Sequence, residues 1–158
     1  MRYQRIALII VAVSFLAVAF LACAPATLNI VPDKTALSPA LIRKPITFTG
    51  SGFQPNETVT VELIIPKGMK MKGLGEDEDR VGIAFGTADD KGNFKAAMPP
   101  TATLFWFFQA GWDPVKGKPI FKEAKPLPPG KYQIEATGVY SEKLAKGVLE
   151  LVKPPKKK

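Results

Sequence analysis

The chain of 158 residues carries 22 Lys+Arg against 14 Asp+Glu, one cysteine and no histidine. Without histidine there is no imidazole base for a Ser-His-Asp or Cys-His nucleophile and no imidazole ligand for zinc, copper or haem. One cysteine excludes an intrachain disulfide and a thiolate cluster.

The net charge of +8 would indicate nucleic acid or an anionic surface if it covered a folded face. Instead it sits at the two ends. Arg2 and Arg5 supply +2, and Lys153, Lys156, Lys157 and Lys158 supply +4, around a stretch with 16 basic and 14 acidic residues. No cluster of Lys/Arg interleaved with aromatics is present, so a nucleic-acid partner is not expected. The segment 153–158 reads as a basic, disordered tail that is solvated or drawn to anionic lipid or cell-wall polymer.

The N-terminus combines Arg2 and Arg5 with an uncharged run of 17 residues from Ile6 to Ala22, ending at Cys23. A basic flank, an apolar stretch and small residues are the parts of an export signal, and this run is also at the short limit for a membrane span. Leu21-Ala22-Cys23 resembles the lipobox of bacterial lipoprotein signals, with Phe20 where that family usually has Leu. The resemblance implies that Cys23 is lipidated and becomes the mature N-terminus. Two alternatives stay open: cleavage after Ala24-Pro25-Ala26, or retention of residues 1–23 as an anchor helix. Each of the three fates places the rest of the chain outside the cytoplasmic membrane.

After Cys23, no window free of Gly and Pro exceeds ten residues. Typical helices do not fit that spacing, whereas strands of five to seven residues do. Leu28 and Ile30 open the domain, and Ile46 and Phe48 mark a second strand. In Thr58–Leu63 the alternation turns Val59, Val61 and Leu63 inward. Val81, Ile83 and Phe85 are expected inward on the next strand, then Phe94, Ala96 and Met98. Tyr132, Ile134 and Ala136 repeat the pattern, and Leu149 and Leu151 close it. By the same alternation Glu57, Glu62 and Glu135 are expected on the outward face. Asp89-Asp90-Lys91-Gly92-Asn93 supplies residues that tolerate positive φ between two alternating runs, which predicts a hairpin. About seven strands with turn signals between them indicate an all-β, antiparallel sandwich over 27–152.

Three segments carry a family resemblance. Gly50-Ser51-Gly52-Phe53-Gln54-Pro55-Asn56-Glu57-Thr58-Val59-Thr60-Val61 resembles the opening of bacterial immunoglobulin-like surface modules. Asp90-Lys91-Gly92-Asn93-Phe94 is similar to their mid-domain hairpin, and Pro129-Gly130-Lys131-Tyr132-Gln133-Ile134-Glu135-Ala136-Thr137-Gly138 to a later strand. The resemblance implies an immunoglobulin-like fold with a binding or assembly role outside the cell, and no catalytic residues.

Two stretches exceed what such a module needs. Residues 66–80 run from basic, with Lys67, Lys70 and Lys72, to acidic, with Glu76, Asp77, Glu78 and Asp79. A solvated loop is expected there. Carboxylates in an extracellular loop also suit calcium, but the spacing matches no EF-hand, and no metal or cofactor is assigned. Residues 99–129 hold 7 of the 15 prolines and the aromatic cluster Phe105, Trp106, Phe107, Phe108 and Trp112. Read as a strand, this cluster puts aromatics on both faces, so it is either a covered core strand or an exposed docking surface. The expected function is a membrane-tethered, non-catalytic module that docks a protein partner of the cell envelope through these five residues. A polysaccharide stacked on Trp106 and Trp112, or a purely structural spacer, is the alternative.

Overall fold

The computed structural model describes residues 25–75 and 77–154. The N-terminal apolar run with Cys23, Glu76 and the end of the basic tail lie outside the described residues. Within them, ten strands occur in the order β1 (Thr27–Val31), β2 (Lys34–Ala36), β3 (Thr47–Ser51), β4 (Thr58–Ile64), β5 (Arg80–Thr87), β6 (Phe94–Ala97), β7 (Gly111–Asp113), β8 (Lys118–Ile120), β9 (Gly130–Gly138) and β10 (Leu144–Val152). The seven segments expected from alternation are β1, β3, β4, β5, β6, β9 and β10. The three others are strands of three residues each.

β1, β3 and β6 form one sheet, and β2, β10, β9, β4 and β5, in that order, form a second. All pairs are antiparallel except β2 on β10. This departs from a purely antiparallel sandwich. The chain leaves β1 in the first sheet and continues as β2 along the edge of the second.

The inward residues of both sheets share one core. Ile30, Phe48, Phe94, Ala96 and Met98 meet Val59, Val61, Leu63, Ile83, Ile134, Leu149 and Leu151, all buried. Each of the larger side chains contributes about 1.5–3 kcal/mol through apolar burial. The Tyr132 hydroxyl, at the start of β9, donates to the Pro128 carbonyl oxygen at 2.6 Å, so a buried phenol keeps a partner. The expected hairpin is present. Asp89 Oδ1 accepts from the backbone N–H of Lys91 (2.8 Å) and Asn93 (2.9 Å), and Gly92 has a φ of 76°.

Phe85 does not point inward as expected; it is 76 % exposed. The β4–β5 register runs Val61↔Ala84 and then Glu62↔Gly82, which leaves Ile83 as the extra residue of a bulge. Ile83 and Ala84 are both buried, and the alternation beyond them is inverted. Phe85 therefore stands opposite Thr60 on the outer face.

Two of the three glutamates expected to be outward are buried. Glu57 is 1 % exposed and Glu135 6 %. Glu57 sits in the turn before β4 and accepts from the N–H groups of Gln54, Tyr140 and Ser141 and from the Ser141 hydroxyl. Burial raises its pKa, but the combined hydrogen bonds outweigh that, so the carboxyl lies below the ordinary range. Glu135 is on the outer face as alternation requires, but longer side chains cover it. Lys146 Nζ lies 3.0 Å from its carboxylate, Arg80 Nη1 3.6 Å, and Gln133 Nε2 donates at 2.7 Å. The Lys146 hydrogen bond leads in holding its pKa down, against the raising effect of burial.

Candidate functional site

The long segment between β6 and β9 folds as a short helical stretch and a small ribbon, outside the two core sheets. Pro100 opens helix α2 (Pro100–Ala102), the second helix of the chain after α1 (Ala40–Arg43). α2 continues into one π turn, Thr103–Phe107, closed by the Phe108 N–H donating to the Thr103 carbonyl at 3.0 Å. Proline at the first helical position is pre-set for this start. Read as a strand, the segment 104–112 is thereby corrected over Leu104–Phe108, whereas Gly111 and Trp112 do lie in a strand, β7. The aromatics follow helical spacing, which sends adjacent side chains in different directions rather than to two faces of a sheet.

That geometry divides the five candidate residues. Phe107 is fully buried in the core, and Phe108 is buried with its ring edge-on to Phe121 at 6.3 Å between centroids. These two are core and support, not surface. Phe105 and Trp112 are exposed, with ring centroids 6.4 Å apart, and Trp106 is half-buried against the core. Trp112 comes from β7, which pairs with β8 in the ribbon that follows the π turn.

Phe105, Trp106 and Trp112 line one wall of a groove of about 960 Å³. The opposite wall is the outer face of β4 and β5, with Thr58, Thr60, Glu62, Gly82 and Phe85. Thr101 and Ala102 from α2 form its floor with Pro99, and Lys72 and Gly73 from the β4–β5 loop reach its rim. β5 is the edge strand of its sheet, so the helical segment also covers backbone that would otherwise offer itself to another chain.

Gln109 joins the pieces. It is 7 % exposed, with a left-handed φ of 47°. Its Oε1 accepts from the Lys72 N–H at 2.9 Å, and its Nε2 donates to the Lys125 carbonyl at 2.7 Å. The two insertions at 66–80 and 99–129 are therefore tied to each other by one side chain. Sequence reasoning missed Gln109, Phe85 and Lys72 as parts of the site. Their partners lie in distant segments, and Phe85 reaches the groove only because of the bulge.

Among the described acids, Glu62 is the one that lines the groove. Glu57 and Glu135 do not line it, and Glu62, which does, has its Oε2 3.5 Å from Arg80 Nη1. Among the described residues, no group of three His, Cys, Asp or Glu side chains is arranged to hold a metal ion. In the 66–80 loop, Glu78 accepts from the Gly75 N–H and Asp79 pairs with Arg80. Among the described residues no helix is long and apolar enough to cross a membrane.

No family model and no curated protein matches this chain. Among solved structures, a bacterial hydrophobin, BslA, aligns with 14% identity and a TM-score of 0.37, over 84% of this chain and 98% of its own. A likeness at that level carries no argument about the groove.

Proposed function

We propose that the chain is an extracytoplasmic, membrane-tethered and non-catalytic binding module with an immunoglobulin-like sandwich, and that it docks a component of the cell envelope in the groove. The fold reading is supported by strand order. β1-β3-β6 and β2-β10-β9-β4-β5 correspond to strands A-B-E and A′-G-F-C-C′ of that architecture. The Tyr132 hydroxyl bonded back to Pro128 occupies the place of its tyrosine corner.

The observation that carries the functional reading is the apolar groove itself, which brings Phe85, Phe105 and both tryptophans of the chain to one concave surface. Exposed apolar surface of this kind costs solubility and persists where it has an occupant. The tether is Cys23, lipidated, or the N-terminal segment retained as an anchor. The occupant would enter the groove with an apolar segment. A polysaccharide suits the surface less well, because sugar hydroxyls need polar partners beside the stacking face and few line these walls.

The test places a photo-crosslinking amino acid at Phe105 in the full chain in living cells, with Val148, exposed on β10, as the control position. A specific adduct from 105 and none from 148 is expected. No adduct from 105 would overturn the docking role. The intact mass from the membrane fraction, compared with Cys23→Ser, tests the tether: a chain starting at Cys23 plus lipid is expected.

A further inference from the structure

Resting on the reading of the groove as a docking site, we infer that its occupant is the hydrocarbon chain of a single-chain amphiphile with an anionic head, such as a long-chain fatty acid. Three observations point there. The groove, at about 960 Å³, is concave and near the upper size for one small organic ligand, whereas protein docking surfaces are usually broad.

Its walls also offer little to a peptide. The Thr60 hydroxyl is directed to the Thr137 carbonyl at 3.4 Å, and Glu62 faces Arg80. Backbone N–H and C=O groups laid in the groove would lose water and find few partners beyond the Thr58 and Thr101 hydroxyls, a penalty an alkyl chain does not incur.

The third observation is charge. Lys72 lies at the rim, with its Nζ 3.7 Å from the point where a Cβ on Gly111 would stand. Among the described residues no carboxylate pairs with it, and its backbone is fixed by Gln109. The guanidinium of Arg80, by contrast, is engaged by Asp79, Glu62 and Glu135. An ammonium at the mouth of an apolar groove selects a ligand with an apolar body and an anionic end.

Both tryptophans line the groove, so intrinsic fluorescence reports its occupancy without a label on the protein. The full chain in phosphatidylcholine nanodiscs is titrated with stearate carrying a nitroxide near its methyl end, and with the methyl ester of the same probe. Gly82 lies on the outer face of β5, and no atom stands within 4 Å of where its Cβ would be, so it accepts a filling side chain. Quenching by the acid in excess of that in Gly82→Leu, saturating with concentration, is expected. Lys72→Gln is expected to weaken the acid about two- to fivefold and leave the ester unchanged. Thr101→Leu, a second filler from the floor, repeats the test if Gly82→Leu unfolds.

Equal quenching in wild type and the filled variants overturns the proposal, as does an acid and ester that respond alike to Lys72→Gln. Protein adducts from Phe105 that vanish in Gly82→Leu, with no excess quenching, would remove the amphiphile and leave the docking role standing.

Discussion

Replacing Glu57 tests whether a buried carboxylate holds the β9–β10 turn to the start of β4. Four donors converge on it, from Gln54, Tyr140 and Ser141. Hydrogen bonds to a charged acceptor contribute about 1.5–3 kcal/mol each. Glu57→Ala does not forfeit the full sum, because Tyr140 and Ser141 lie at the surface and water re-enters beside them. A loss of about 3–5 kcal/mol is expected, the range for removing one partner from a buried charged cluster. Glu57→Gln keeps one acceptor oxygen and turns an amide toward at least one N–H, so about 2–3 kcal/mol is expected.

Urea unfolding followed by tryptophan fluorescence measures both. The depressed pKa also fixes a pH dependence. A carboxyl with a folded pKa below its unfolded value, near about 4.3, contributes stability above the unfolded value and loses it as pH falls through the folded one. The gap between wild type and Glu57→Gln should therefore be full at pH 7 and shrink toward pH 3. A loss under about 1 kcal/mol for Glu57→Ala, or a gap independent of pH, would refute the reasoning.

Other expectations follow from the same contacts. A Cβ at Gly138 would strike Glu57 Oε1 and Ser141 Oγ, so Gly138→Ala should cost about 1–3 kcal/mol. In a double-mutant cycle with Glu57→Ala the two costs should fall short of adding. Phe107→Ala should lose about 3–5 kcal/mol in the same urea assay, whereas exposed Phe105→Ala should stay within about 0.5 kcal/mol. Gln109→Ala should cost about 1–3 kcal/mol and speed limited proteolysis within 66–75, read by mass spectrometry, because it frees the Lys72 backbone from its tie.

The β4, β6 and β9 faces are legible in the sequence because alternation is a local property, and the Asp89 turn because its hydrogen bonds span four residues. Glu57 is not, since its partners at Tyr140 and Ser141 lie 83 and 84 residues away. Val81, Gly82 and Ile83 obey alternation and Phe85 does not, and nothing in the run Val81–Thr87 marks where the extra residue falls. The aromatic segment stands out as a place of contact only in outline, as five residues, of which Phe105, Trp106 and Trp112 reach the groove. A run of four aromatics suits a strand by composition, and Pro100 at the first helical position is the signal for the other outcome. The groove draws on segments near residues 60, 72, 85 and 105, so no single stretch announces it.

The bulge at Ile83 lets one strand answer to two independent pressures. On its first half, Val81 and Ile83 are constrained by the volume of the interior, where small changes are felt at once. Past the extra residue, Phe85 is free of that constraint and lies exposed in the groove. On the proposed docking role, substitutions at Phe85 would alter recognition at little cost to folding, and a lineage of such chains could change ligand while its interior stays fixed. Deleting Ile83 would remove the bulge and leave Val81, Gly82, Ala84 and Phe85 in regular alternation, with Phe85 still opposite Thr60 on the outer face.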